Sequence, residues 1–171
     1  MLWKPLAALA LAFAVAVSGA HAQDAKADSA SKNFIKKAIE SNYAEINVGK
    51  LAQEKGNGEG VKRFGAMLVK DHSAANEKAI AAAKEMGVEP PSGSSIMEKG
   101  TYLKLKVLSG DTFDKSFAKG MVEDHESDIK EFEQEASKTD PAGRFAKEAL
   151  PTLRNHLQEA QSLASQTTGS K

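Results

Sequence analysis

The chain has no cysteine. No disulfide can form and no thiolate can serve as nucleophile or metal ligand, so stability has to come from a packed core. A lipid anchored on an N-terminal cysteine is excluded for the same reason. Basic and acidic side chains balance at 23 each, which leaves no cationic excess to attract nucleic acid or an anionic membrane surface. Aromatic residues are 6% of the chain, and they fall on apolar stripes, not in a row on which bases could stack. There is no glycine-rich phosphate loop, no nucleophile elbow and no Cys-His pair. No catalytic residue is assigned on these grounds, and the sequence leans away from an enzyme.

A long apolar run occurs once, from Leu6 to Val17, after Lys4 and before Ser18-Gly19-Ala20-His21-Ala22. This order of basic, apolar and small-residue segments is that of a secretory signal ending in Ala-x-Ala, with cleavage after Ala22. The run is shorter than the roughly 20 residues of a spanning helix, so no membrane span is expected once residues 1–22 are removed. The expected compartment is the periplasm, with secretion into the medium as the other outcome. Residues 23–30 read as a flexible lead, 31–165 as one helical domain, and 166–171 as a disordered tail.

Within the domain, apolar residues recur at steps of three and four, the period of one helix face. The first helix is expected over 31–55, with Ile35, Ala38, Ile39, Ile46 and Gly49 on its stripe, and Gly56-Asn57-Gly58 stops it. The second is expected over 59–86, with Val61, Phe64, Leu68, His72, Ala75, Ala79, Ala82 and Met86 in register. Gly87 and Pro90-Pro91 end it. The third starts near Asp111 as N-cap and runs to about Lys138, with Phe117, Met121, His125, Asp128, Phe132 and Ala136 inward. Asp140-Pro141 opens the fourth, whose stripe is Ala142, Phe145, Ala149, Leu153, His156, Ala160 and Leu163. Pro151 inside it predicts a kink. Two short links and one long one pair the helices as two hairpins joined by a crossover. The crossover carries Tyr102, Leu103, Leu105, Val107 and Leu108, enough for a short extra helix over the bundle. The fold class is therefore all-α, a ferritin-like four-helix bundle with a long crossover.

His72, His125 and His156 each fall near the middle of a different helix, on its apolar side. A bundle core needs no histidine for packing. On the first helix the comparable position is Glu45, and Asp128 lies one turn after His125. Neutral imidazoles from three helices, with a carboxylate from Glu45 or Asp128, make a nitrogen-oxygen ligand set suited to zinc, iron, manganese or copper. A di-iron carboxylate centre would need Glu-x-x-His, but Val69, Val122 and Leu153 stand three residues before the histidines. The bland alternative is a buried polar layer in which the same residues bond one another. Asp71 and Asp124 read as ordinary surface charges pointing outward or sideways, with a role behind the histidines as the alternative.

The run Phe64-Gly-Ala-Met-Leu-Val-Lys-Asp71-His72, then Gly110-Asp-Thr-Phe113-Asp114, then His125, and Leu150-Pro151-x-Leu153-x-x-His156 resembles the bacterial family called domain of unknown function 4142. The resemblance spans about Asn33 to Leu163. It implies an exported bacterial protein with a ferritin-like bundle, and it places that family's histidine pattern on His72, His125 and His156. It supplies no catalytic role. Two functions remain open. One is a small binding protein with a histidine-centred metal site in its core. The other is a non-catalytic structural or stress-associated envelope protein, in which the histidines only organise the interior. Redox turnover through a bound metal and a histidine pH switch are further readings.

Overall fold

The computed structural model describes residues 28–169. The signal segment and most of the lead lie outside them. Five helices follow in order: α1 (Ser29–Lys55), α2 (Glu59–Glu85), α3 (Ile96–Lys106), α4 (Gly110–Glu135) and α5 (Pro141–Gly169). The described residues contain no strand. α1 packs mainly on α2 and α4 on α5, while α2 against α5 joins the two hairpins and α3 lies on α1 and α4. This is the ferritin-like bundle with its crossover helix. None of the described helices is long and apolar enough to cross a membrane.

The core falls into two apolar clusters. One holds Phe34, Ile35 and Ile39 of α1, Ala79 and Ala83 of α2, Phe132 of α4, and Phe145 and Leu153 of α5. The other holds Val48 and Leu51 of α1, Phe64 and Leu68 of α2, Phe113 and Phe117 of α4, and Ala160 and Leu163 of α5. α1 and α5 therefore run from the first cluster to the second, and α2 and α4 run back. The crossover is long because the chain leaves α2 at one end of the bundle and must enter α4 at the other. Leu105 of α3 is buried in the second cluster on the way.

Local details differ from the sequence reading where a side chain finds an unforeseen partner. α1 begins at Ser29, inside the expected lead, because Asp28 accepts a hydrogen bond from Ser31 N at 2.7 Å and caps it. α4 is capped by the Ser109 backbone, not by Asp111. Asp111 instead accepts from the Asn57 side chain at 2.9 Å. α5 continues through Pro151 to Gly169, past Gln166. There Gln166 Nε2 donates to Ser162 Oγ at 3.1 Å and Thr167 Oγ1 to the Ala164 carbonyl at 3.2 Å, one helical turn back in each case. Ile46 is only half-buried, while Asn42, Glu45 and Val48 take the interior of α1. On α3, Ser95 and Glu98 form a reciprocal capping box. Leu103 and Val107 face solvent, not the bundle.

α1 and α2 approach closely at Gly49 and Gly65. A Cβ on Gly65 would stand 2.6 Å from the Gly49 carbonyl oxygen, so only hydrogen fits between the two backbones. The turn beyond them is held from the other hairpin. Buried Asp114 of α4 accepts from Asn57 N at 2.9 Å and from Gly58 N at 2.7 Å. Hydrogen bonds to a charged acceptor contribute more than neutral ones, and removal strands two donors. Asp114→Ala is expected to cost about 3 kcal/mol in urea unfolding. A loss below about 0.5 kcal/mol would show that water replaces the carboxylate freely.

Candidate metal centre

Between the two apolar clusters lies a polar layer: Asn42 and Glu45 of α1, His72 and Asn76 of α2, His125 of α4 and His156 of α5, all buried. The three histidines converge as their mid-helix positions predict. Ring centroids are 5.2 Å apart for His72 and His156, 5.4 Å for His125 and His156, and 5.9 Å for His72 and His125. One nitrogen from each ring lies within 4.8 Å of the other two.

The hydrogen-bond partners assign the tautomers. His125 Nδ1 lies 2.9 Å from the Met121 carbonyl, which only accepts, so Nδ1 carries hydrogen. His72 Nδ1 lies 2.9 Å from Asn42 Oδ1, again an acceptor. His156 Nε2 lies 3.1 Å from Asp71 Oδ2. A neutral imidazole has one N–H, and each ring directs its own away from the centre. The nitrogens left bare are His72 Nε2, His125 Nε2 and His156 Nδ1. The last two face each other at 3.3 Å, and His72 Nε2 is buried with no hydrogen-bond partner.

Neutrality is what the surroundings favour. Burial, then the neighbouring imidazoles, hold His72 well below its ordinary value. Burial and His156 bring His125 down to about 4. Burial lowers His156 too, against the opposing pull of Asp71. Three uncharged nitrogen donors therefore share one buried site.

The carboxylates divide differently from the sequence reading. Glu45 Oε1 lies 3.9 Å from His125 Nδ1, the nitrogen that already donates to Met121, so Glu45 stands behind the ring and not among the bare nitrogens. Asp128 Oδ2 accepts from Ser41 Oγ at 3.3 Å, on the side of α4 that faces α1. Burial, then Asp124 and Asp128, raise Glu45 well above the carboxylate range, and burial with Asp124 raises Asp128 to about 7. Asp71 is not an ordinary surface charge, since it anchors His156. Its place directly before His72 turns it by about 100° around α2, away from the stripe and towards α5. Asn42 was missed as well. Its signal was a polar residue interrupting the α1 stripe between Ile39 and Glu45.

A cleft of about 190 Å³ reaches this centre from the surface. Its lining includes exposed Lys78 and Glu148, paired at 3.3 Å, the packed rings of Phe132 and Phe145, and His72 and His156.

Fold and centre together define a ferritin-like bundle with a buried imidazole triad between its two apolar clusters. The chain belongs to the family described as Domain of unknown function (DUF4142), which matches residues 16–163. Among solved structures it is similar to the crystal structure of a DUF305 fragment from Deinococcus radiodurans, at TM-score 0.72 and 11% identity, covering 82% of this chain and 98% of that one. At that identity the likeness concerns the fold. No curated protein matches the chain.

Proposed function

We propose that the protein is a small exported metal-binding protein of the bacterial envelope, holding one transition-metal ion on His72, His125 and His156. The observation that carries the reading is the bare pair His125 Nε2 and His156 Nδ1 at 3.3 Å. Two nitrogens bound to one tetrahedral ion at about 2.0–2.1 Å stand about 3.3 Å apart. The third nitrogen, within 4.8 Å, closes the remaining distance by a small ring rotation. Outer partners on the far nitrogen of each ring, here Met121, Asn42 and Asp71, are the usual means of orienting histidine ligands. Neutral imidazole suits zinc, copper and iron better than calcium or magnesium. Three protein ligands leave a fourth position, and the cleft past Lys78 and Glu148 is its route to solvent.

The same 3.3 Å contact favours a second reading, a polar layer with an imidazole-imidazole hydrogen bond. The Met121 carbonyl and the Asp71 carboxylate both accept, so the pair satisfies every bond only if it carries a third ring proton. Burial works against that extra charge, which supports the metal reading. The export part of the proposal rests on residues 1–22, with Gln23 as the mature N-terminus.

The test is elemental analysis of protein purified without chelator from the organism that makes it, beside a His72→Ala/His125→Ala/His156→Ala variant. Near-stoichiometric metal in the wild type and none in the folded variant is the expected result. Metal absent from both would leave the polar layer as the surviving explanation. Intact-mass measurement on the same sample checks the cleavage after Ala22.

A further inference from the structure

A second cavity, of about 210 Å³, lies on the opposite side of His125, enclosed by α1, α3 and α4. Four carboxylates line it: Glu45, Glu98, Asp124 and Asp128. The hydroxyls of Ser41, Thr101 and Ser127 join them, Val48, Met97 and Met121 supply apolar wall, and no lysine, arginine or histidine is part of the lining. None of the four carboxylates pairs with a lysine or arginine among the described residues. Among the described residues Glu98 accepts from Ser95 N and Asp128 from Ser41 Oγ.

An acidic lining alone would be a solvated surface. Glu45 makes it more than that. Its side chain is 5% exposed, and Oε2 is buried with no hydrogen-bond partner among the described residues. Its other oxygen faces a ring nitrogen already committed to the Met121 carbonyl. A buried carboxyl oxygen left without a donor is costly, and a cation with its bound water would supply the missing partner.

We propose that this cavity is a second cation site, one that takes a partly hydrated hard divalent ion of the calcium, manganese(II) or magnesium class between Glu45, Asp124, Asp128 and Glu98. The donor chemistry separates it from the triad. Oxygen-only sets select hard ions, whereas imidazoles select softer ones. The proposal does not rest on the triad holding a metal. Among the described residues only the histidines bring three such ligand atoms within 4.8 Å of one another. The ion therefore keeps part of its water shell and meets one or two carboxylates directly, as magnesium and manganese sites commonly do. Glu98 comes from α3, the short crossover helix, so ion binding would tie that helix to α1 and α4.

Manganese(II) titrated into the full mature chain, loaded with one equivalent of zinc to occupy the histidines and then freed of unbound zinc, reads the site through the loss of the free-ion EPR signal. Binding of one ion with a dissociation constant of about 0.1–1 mM is expected, the range of weak extracellular oxygen sites. Calcium should displace it. Glu45→Gln and Asp128→Asn should each weaken it tenfold or more, and His72→Ala/His156→Ala should leave it unchanged. Should Glu45→Gln fail to fold, Asp128→Asn alone decides. No manganese binding at about 10 mM, or equal binding in wild type and Asp128→Asn, overturns the proposal.

Discussion

Zinc at about a thousand times its dissociation constant should raise the unfolding midpoint of the wild-type protein by about 10 °C, and the gain should disappear in His125→Ala. The magnitude follows from linkage. A ligand that binds only the folded state at that excess adds about 4 kcal/mol, and a domain of this size gains about 2–4 °C per kcal/mol. His125 is the decisive position because it is fully buried and its Nε2 forms the short edge of the triad with His156. The substitution also opens space in the core, so the variant starts from a lower midpoint. The relevant quantity is the increment on adding zinc, not the absolute value. Asp71→Asn should keep part of that increment, since outer partners of ligating histidines typically change affinity 10- to 100-fold without abolishing it. Differential scanning calorimetry with zinc and with chelator reads all three proteins. An equal increment in wild type and His125→Ala would remove the triad from consideration.

The second large effect is a gain. Asp128→Asn should stabilise the metal-free protein by about 1–2 kcal/mol near pH 8, after allowing for solvent screening at its half-buried carboxyl. Its folded value of about 7 stands above the ordinary 3.8. Between those values the folded protein keeps a proton that the unfolded chain has released. Stability therefore falls as pH rises through this window, and the whole burden is present above it. His125 acts in the opposite sense. Its folded value of about 4 stands below 6.5, so the unfolded chain takes up its proton first as pH falls. That contribution is complete above 6.5 and is lost as pH drops towards 4. The two slopes oppose one another in mildly acid solution, which flattens the wild-type profile. Asp128→Asn removes one of them, so the variant should lose stability more steeply with acid. Urea midpoints at about pH 8, 6 and 4.5 test this, and coincident wild-type and variant values at the highest pH would refute it.

The sequence carried the bundle, its two hairpins and the convergence of His72, His125 and His156, because helical periodicity states which face of each helix is apolar and roughly how far along a residue lies. It did not carry the side-to-side assignment within the layer. Periodicity puts Glu45 near the edge of the α1 stripe, where an inward position is open but not forced, and it does not say whether the side chain meets the bare or the protonated nitrogen of His125. That depends on how far α1 is rotated about its axis, which Asn42, Glu45 and Val48 settle by packing. Asp128 was read with the triad because it follows His125 by one turn. Yet three residues leave it about 60° short of a full rotation, enough to turn it to the α1 side and the hydroxyl of Ser41. Asp71 was hidden for the converse reason. Off the stripe of its own helix, it gains its partner only because α5 lies alongside.

The antiparallel course of the helices has an electrical consequence for whatever occupies the layer. α1 and α5 run one way and α2 and α4 the other, so their backbone dipoles largely cancel at mid-length. Each of these helices is roughly 40 Å long, which puts every terminus about 20 Å from the histidines, well beyond the single turn over which a helix end exerts its field. At that depth the main chain is almost silent. The charge of a bound ion would then have to be met by side chains alone, and Glu45, Asp71, Asp124 and Asp128 are the acidic groups that the fold sets around its middle.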